Sequence, residues 1–190
     1  MKEIDFYEEF SEKFKKYVLS YLPEDIEIDY SFNKSLDIMV NNLSTRLGTP
    51  INFNNEYIPK LKLDILFAIK NKKNIHLILF EAKYLKQLSL KDYSQLSGYL
   101  QVAKNIKTGI LLLIVKGSSQ NKLSNDFNEI IKLEKLPMDW ILQIKNNEYE
   151  YKTGIMIYQP GNGIYWIDCK TINGISNFEE LAFNINSYLN

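Results

Sequence analysis

The fold-deciding stretch is Leu61-Lys-Leu-Asp-Ile-Leu-Phe-Ala-Ile-Lys70, then Asn71-Lys-Lys-Asn74, then Ile75-His-Leu-Ile-Leu-Phe-Glu-Ala-Lys83. Two apolar segments of strand length flank four polar residues of the kinds that form turns. This pattern predicts a β-hairpin. Its two strands carry both acidic and basic side chains, so the register of the hairpin decides which charges meet.

A turn that is symmetric about its centre places Asp64 opposite Glu81 and Lys62 opposite Lys83. Opposed residues in an antiparallel pair have Cβ atoms about 4.5–5.5 Å apart, and like charges there destabilise the pair. A cation bound through oxygen atoms would neutralise the carboxylates, and Mg²⁺ or Mn²⁺ suits such ligands. Because side chains alternate along a strand, Glu81 and Lys83 share one face. The pattern predicts one pocket for a metal ion and an ammonium group.

Two alternatives stay open at this point. A three-residue loop would move Asp64 away from Glu81, and a solvated face with ordinary charges would also fit the composition. The acid-x-Lys pattern recurs at Glu150-Tyr-Lys152 and Asp168-Cys-Lys170, so the triplet alone is unspecific. Its context distinguishes Glu81, which ends a long apolar strand, follows a strand that carries an Asp, and precedes a helix.

Asp64 on one strand and Glu81-Ala-Lys83 on the next resemble the motif of the PD-(D/E)XK nuclease superfamily. The helical segment Gln95-Leu-Ser-Gly-Tyr99 is similar to the Gln-x-x-x-Tyr motif of RecB-like nucleases and of type I restriction nuclease domains. The resemblance covers residues 58–116. One departure is that Leu63, not proline, precedes Asp64.

The resemblance implies an α/β fold with a restriction-endonuclease-like αβββαβ core, in which helices flank a mixed central sheet. It implies that Asp64, Glu81 and the backbone carbonyl of Ala82 hold Mg²⁺ or Mn²⁺. Lys83 and Gln95 would complete the catalytic group. Tyr99 would touch the phosphate backbone of the substrate or brace Gln95.

Two further residues are candidates. The resemblance allows a Glu on the first helix to assist the metal site, and Glu9 flanks the apolar stripe of that helix; an ordinary surface role for it stays open. Arg46, the single arginine, lies in the irregular segment 33–59 and could donate to phosphate oxygens. The alternative for this segment is a loop with a short helix over residues 36–47.

One domain is expected for residues 1–190, with a core over about 5–116 and a C-terminal elaboration over about 117–190. Periodicity and turn signals predict the remaining elements. Helices are expected at Asp5–Leu22, Leu90–Ile106 and Asn121–Leu136, with a last helix begun by a capping box at Ser176. Strands are expected at Ile26–Phe32, Ile110–Val115, Trp140–Ile144, Tyr149–Tyr158 and Ile164–Cys169.

The composition argues against several kinds of cofactor site and against a membrane-spanning protein. Hydrophobic residues make up 45% of the chain and charged residues 24%, which is typical of globular proteins. One cysteine permits neither an internal disulfide nor a cysteine-bound iron–sulfur cluster, and one histidine, His76, disfavours a His-based zinc site. The apolar runs are too short to span a membrane, and the acidic N-terminus is unlike a signal peptide, so a cytoplasmic location is expected.

Net charge is zero, but between Ile58 and Asp92 lysines outnumber acids eight to three. The basic surplus surrounds the predicted pocket and favours a nucleic-acid partner. We therefore expect a metal-dependent DNA endonuclease of restriction or phage defence, acting as a homodimer or within a defence or repair complex. The alternatives are a recombination or repair exonuclease, a junction resolvase, a non-catalytic nucleic-acid-binding module, and a protein-interaction domain.

Overall fold

A computed structural model describes residues 2–53, 58–116, 121–132, 151–167 and 174–190. The strands are β1 (Glu27–Ser35), β2 (Lys62–Lys70), β3 (Ile75–Leu85), β4 (Thr108–Val115), β5 (Lys152–Gln159), β6 (Gly163–Ile167) and β7 (Gly174–Ile175). The helices are α1 (Tyr7–Leu19), preceded by a 3-10 turn over Glu3–Phe6, α2 (Leu36–Arg46), α3 (Leu90–Val102), α4 (Asn125–Lys132) and α5 (Phe178–Leu189).

The described strands form one mixed sheet in the order β1-β2-β3-β4-β5-β6, with β7 also paired to β5. Pairing is antiparallel from β1 to β3, parallel from β3 through β5, and antiparallel between β5 and β6. The predicted α/β class with a mixed central sheet flanked by helices is confirmed.

The hairpin has the predicted symmetric register. Ile65 pairs with Phe80 and Lys70 pairs with Ile75. The turn is closed by Asn71, whose side-chain oxygen accepts the backbone N–H groups of Lys73 and Asn74 at 2.8 and 2.7 Å. The next position beyond the last ladder pair is that of Asp64 and Glu81, so the turn chemistry brings the two carboxylates to the open end of the hairpin.

Helices cover both faces of the sheet. Helices α1 and α5 bury one face, where the ring of Phe14 lies 4.7 Å from that of Phe67 and 4.8 Å from that of Phe80. Helices α2, α3 and α4 bury the other face around an aliphatic core. Gly109 lets α3 approach β4, because a Cβ there would lie 2.7 Å from a methyl carbon of Leu100.

Several predicted boundaries shift. Helix α3 ends at Val102 rather than Ile106, because Ala103 leaves the helical conformation. Ile106 is buried in the same core from the turn that follows, which explains why the apolar period continued past the helix. The predicted short helix after β1 is confirmed as α2, at residues 36–46.

The N-cap of the last helix lies one residue later than predicted. Asn177, not Ser176, is the N-cap, and its side-chain oxygen accepts the N–H of Glu180 at 2.7 Å. Glu180 accepts in turn from the backbone N–H of Ser176. The predicted strand Trp140–Ile144 and the predicted strand and helix ends at 133–136, 149–150 and 168–169 lie outside the described residues.

Candidate active site

The strands β2 and β3 separate at Asp64. Beyond Ile65, β2 continues to pair with β1 while β3 pairs with β4. At this point Asn33 of β1 has a positive φ of 52°, so the regular β1–β2 pairing is interrupted beside Asp64. The result is a gap between β2 and β3, with the carboxylate of Asp64 at the point where the strands separate.

Asp64 ties the two strands together across this gap. Its Oδ2 accepts the backbone N–H of Ala82 at 2.9 Å, which takes the place of the next main-chain ladder bond. The N–H and C=O of one residue in a strand point to the same neighbouring strand. The carbonyl of Ala82 is therefore directed toward the gap that holds Asp64.

Glu81 is 2% exposed. Burial, and then the charge of Asp64, raise the pKa of its carboxyl to about 7, against the opposing effect of Lys83. Asp64 therefore lies close enough to Glu81 for its charge to act on that carboxyl. The site holds two acids whose charges are costly to keep together without a cation.

Lys83 supplies a cation on the same face as Glu81. Its Nζ donates to Glu81 Oε1 at 2.5 Å. Burial acts to lower the pKa of Lys83, but the hydrogen bond to Glu81 and the charges of Glu81, Asp64 and Glu3 outweigh it, so the net pKa is raised. Lys83 is held as an ammonium ion.

The acid that the N-terminal segment brings to this group is Glu3. It accepts the N–H of Tyr84 at 3.3 Å, and its charge acts on Glu81 and Lys83. Glu9, the sequence-based candidate, instead forms a 2.9 Å ion pair with Lys13, whose ammonium lies 5.5 Å from the ring centroid of Tyr158 on β5. The two glutamates differ because α1 crosses the sheet and only its N-terminal end lies over the gap.

Tyr7, the first residue of α1, also reaches the group. Its side chain is 2% exposed, and burial together with the charge of Asp64 raises the pKa of its hydroxyl. The sequence carried a signal for it, because Tyr7, Phe10 and Phe14 have the spacing of one helical face. A polar ring on that face is the sequence feature that could have identified Tyr7. Only the crossing of α1 over the sheet places Tyr7 in the same cleft as Asp64.

Gln95 and Tyr99 lie one turn apart on α3. The Nε2 of Gln95 donates to the hydroxyl of Tyr99 at 3.0 Å. Glu81 and Leu79 are two residues apart on β3 and therefore point to the same face of the sheet. Leu79 packs in the core that α3 covers, so α3 lies on the face to which Glu81 points. The pair therefore lies on the same side of the sheet as Glu81, and the side-chain amide of Gln95 is hydrogen-bonded to Tyr99.

Arg46 is held at the edge strand β1. Its Nε donates to Asp29 Oδ2 at 2.5 Å, and a terminal nitrogen donates to the carbonyl of Tyr30. Asp29 pairs with Ala68, four residues along β2 from Asp64, which at the rise of a strand is about 13 Å. The structure therefore does not bring Arg46 to the carboxylate group. Arg46 instead links the C-terminal end of α2 to β1 by these hydrogen bonds.

The chemistry of the donors can be compared with the needs of a metal ion. Within the described ranges, no three His, Cys, Asp or Glu side chains are grouped as a complete metal site. Mg²⁺ is commonly held by only one or two carboxylates together with water and substrate phosphate. Asp64, Glu81 and the Ala82 carbonyl are hard oxygen donors that fit such a partial set.

Glu150 and Asp168, which begin the other two acid-x-Lys triplets, lie outside the described residues. In the part of the chain that is described, no helix has both the length and the hydrophobicity to span a membrane. No protein-family model and no curated protein matches the chain.

Proposed function

We propose that this protein is a metal-dependent nuclease of the PD-(D/E)XK type that hydrolyses phosphodiester bonds in DNA. The observation that carries the proposal is the group formed where β2 and β3 separate. There Asp64 accepts from Ala82, its charge acts on buried Glu81, and Lys83 is bonded to Glu81. Two acids and one ammonium at the end of two strands are the arrangement that this chemistry requires.

The order of elements supports the same proposal. Up to β4, the helix and strand sequence is α1, β1, α2, β2, β3, α3, β4. Leaving out α2, which connects β1 to β2, the order matches the αβββαβ core of the superfamily. The strands β5 to β7 and helix α5 would then be additions to that core.

The residues proposed to hold Mg²⁺ or Mn²⁺ are Asp64, Glu81 and the carbonyl of Ala82. A bound divalent cation supplies positive charge that polarises a phosphate and lowers the pKa of a water molecule. The protein's own part is to hold the two carboxylates in place despite their repulsion. The hydrogen bond from Ala82 to Asp64 and the ammonium of Lys83 do this.

Lys83 is proposed to stabilise the negative charge that develops on the phosphate as the bond to the nucleophile forms. Its raised pKa favours this electrostatic role over proton removal. Gln95 is proposed to position Lys83 or the nucleophilic water, and Tyr99 to contact the backbone or brace Gln95. The 3.0 Å bond between Gln95 and Tyr99 supports a shared role.

DNA as the substrate rests on analogy with the superfamily and on the local excess of lysines. We propose endonuclease action in restriction or phage defence, in the cytoplasm, as a homodimer or with a partner subunit. The exonuclease and resolvase alternatives use the same chemistry on other DNA structures.

The proposal is tested by incubating the purified protein with supercoiled and linear duplex DNA, with Mg²⁺, with Mn²⁺ and with chelator. We expect metal-dependent cutting that Asp64→Ala abolishes. Cutting of the supercoiled circle would identify an endonuclease. If a folded protein binds DNA yet cuts neither substrate with either metal, the protein is a binding module and the proposal is wrong.

A further inference from the structure

Three aromatic rings are stacked at the surface, where the C-terminal end of α1 meets the start of α5. The ring of Phe178 lies 5.4 Å from that of Tyr17 and 5.7 Å from that of Tyr21, and the planes are within 13° and 16° of parallel. Trp166 of β6 packs edge-on against Phe178, with centroids 5.5 Å apart. Residues from two helices and a strand therefore fix the orientation of the rings.

The two tyrosines of this stack remain open to solvent. Tyr17 is 44% exposed and Tyr21 is 42% exposed. Because Phe178 stacks on one face of each ring, the exposed area belongs to the other face and the ring edge. A fixed ring with an open face is the kind of surface on which an unpaired nucleobase stacks, since every base has a π-face of its own.

Tyr17 also lines a shallow hollow of about 330 Å³, together with Lys13, Lys16 and Ser20. Lys13 forms an ion pair with Glu9 at 2.9 Å, so part of its charge is already neutralised. Lys16 is exposed in the last turn of α1 and is the cation better placed to contact an anion. An aromatic wall beside ammonium groups suits a ligand that is both planar and anionic, and a nucleotide has both properties.

This surface is separate from the carboxylate group. Tyr7, which lines the same cleft as Asp64, lies ten residues before Tyr17 on α1. At the rise of a helix this separation is about 15 Å. A ligand on Tyr17 therefore needs neither the metal nor the carboxylates.

We propose that Tyr17, Tyr21 and Phe178, with Lys16 beside them, form a binding surface for single-stranded nucleic acid. An unpaired base stacks on Tyr17, and Lys16 pairs with a phosphate of the same strand. A duplex keeps its bases stacked on one another and offers Tyr17 no free base. The site uses chemistry that DNA and RNA share, and it goes beyond the proposed nuclease activity.

The test is fluorescence anisotropy of labelled oligothymidylate and oligouridylate of about ten nucleotides, a usual length for single-strand sites. The full chain is titrated in the presence of chelator, so that no strand is cut. Tyr17→Leu keeps an apolar contact with Phe178 and removes the aromatic face. We expect it to weaken binding of at least one of the two strands about 5–150-fold, which corresponds to ~1–3 kcal/mol per stacked base. Tyr17→Phe keeps the ring and should bind as tightly as wild type.

Lys16→Gln gives a second readout that does not disturb the stack. It should weaken binding and reduce the slope of log affinity against log salt concentration by about 0.7, the effect of losing one phosphate contact to a single strand. Because Lys16 is exposed, this variant should keep the wild-type melting temperature.

Tyr165→Leu is the matched control, since Tyr165 is a 49% exposed tyrosine on β6. Its neighbours Ile164 and Trp166 pack on the face covered by α1 and α5, so Tyr165 points to the opposite face of the sheet. Affinity for both oligonucleotides should be unchanged in this variant.

Wild type that binds neither oligonucleotide, or Tyr17→Leu that binds both as tightly as wild type, overturns the proposal. It is also overturned if a duplex of equal length binds as tightly and loses as much affinity on Tyr17→Leu. Sedimentation of wild type and Tyr17→Leu tests the other occupant: self-association that depends on Tyr17 while oligonucleotide affinity does not would make this surface a contact between copies. A failure to cut DNA with metal leaves these measurements unaffected, so the two proposals fail independently.

Discussion

At the scale of single residues, the turn and the strand alternation predicted the β2–β3 register, with Asp64 and Glu81 one position beyond its last pair and Lys83 on the face of Glu81. The alternation of strand side chains and the turn at residues 71–74 determine which charges meet, and both are local properties. Glu3 and Tyr7 were not predicted as site residues. Their position depends on where α1 crosses the sheet near Asp64, which lies more than fifty positions later, and no local pattern contains that information.

Removing the repulsion between Asp64 and Glu81 should stabilise the metal-free protein. Asp64→Asn keeps an oxygen that can accept from Ala82 and removes the opposed charge, so we expect a higher melting temperature without metal. In wild type, metal at 100 times its dissociation constant should add about 2.7 kcal/mol to the free energy of unfolding. Thermal unfolding with and without Mg²⁺ measures both. A melting temperature that changes neither with Mg²⁺ nor with Asp64→Asn would mean that the two carboxylates do not share a site.

The two N-terminal glutamates should differ in their effect on metal binding. The charge of Glu3 acts on Glu81 and Lys83, whereas Glu9 is paired with Lys13. We expect Glu3→Gln to weaken Mn²⁺ affinity and Glu9→Gln to leave it near the wild-type value. The same titration on both variants decides between them, and the opposite ranking would restore Glu9 as the assisting acid.

His76 should make the fold sensitive to acid. It is buried, with its Nε2 2.9 Å from the hydroxyl of Thr108 and its ring stacked on Tyr188. Burial lowers its pKa to about 3, from about 6.5 when unfolded. Below pH 6.5 the unfolded chain takes up a proton that the folded chain does not, so stability is lost as pH falls toward 3.

The slope assigned to His76 is about 1.4 kcal/mol of unfolding free energy per pH unit within that window. Denaturant unfolding of wild type and His76→Gln between pH 4 and 7 measures it as the difference between the two proteins. His76→Gln should be less stable than wild type at pH 7. Its free energy of unfolding should also fall less steeply than that of wild type as the pH is lowered. Parallel pH profiles would show that His76 is protonated equally in both states.

At the scale of elements, β5 changes neighbours at Gly154. Thr153 and Gly154 pair with β7, and the residues from Ile155 onward pair with β6. A Cβ at Gly154 would lie 2.5 Å from the carbonyl oxygen of Ile175 and 2.9 Å from the ring of Trp166. The sequence predicted strands here, but not this junction, since it is created by pairing with a segment twenty residues away.

Gly154→Ala should therefore destabilise the fold by about 1–3 kcal/mol, the usual cost of overpacking. Gly98, inside α3, is the matched control because a Cβ there meets nothing within 4 Å. Gly98→Ala should stabilise by about 0.5–1 kcal/mol through helix propensity. Denaturant midpoints give both values, and equal destabilisation by the two substitutions would contradict the junction at Gly154.

At the scale of the whole molecule, the helices and strands predicted between Asp5 and Val115 occur in the predicted order, with α2 between β1 and β2, because helical periods and apolar runs of strand length are local properties of the sequence. The C-terminal strands could be predicted as strands but not placed. Parallel pairing of β5 with β4 extends the central sheet, and α5 joins α1 on the face that carries the aromatic core. These contacts arise from burying both faces of one sheet, which only the assembled chain specifies.

The sharpest test of the central claim separates metal affinity from catalytic rate at Lys83. Lys83→Ala keeps both carboxylates and removes a cation beside them, so Mn²⁺ should bind at least as tightly. Loss of one preorganised electrostatic group typically costs about 10²–10³ in rate, whereas Asp64→Ala should lose both binding and cleavage. Mn²⁺ titration beside a DNA-cleavage assay on both variants gives the comparison. Lys83→Ala should bind Mn²⁺ tightly while its turnover collapses; near-wild-type cleavage by that variant would contradict the assignment of Asp64, Glu81 and Lys83 as the catalytic group.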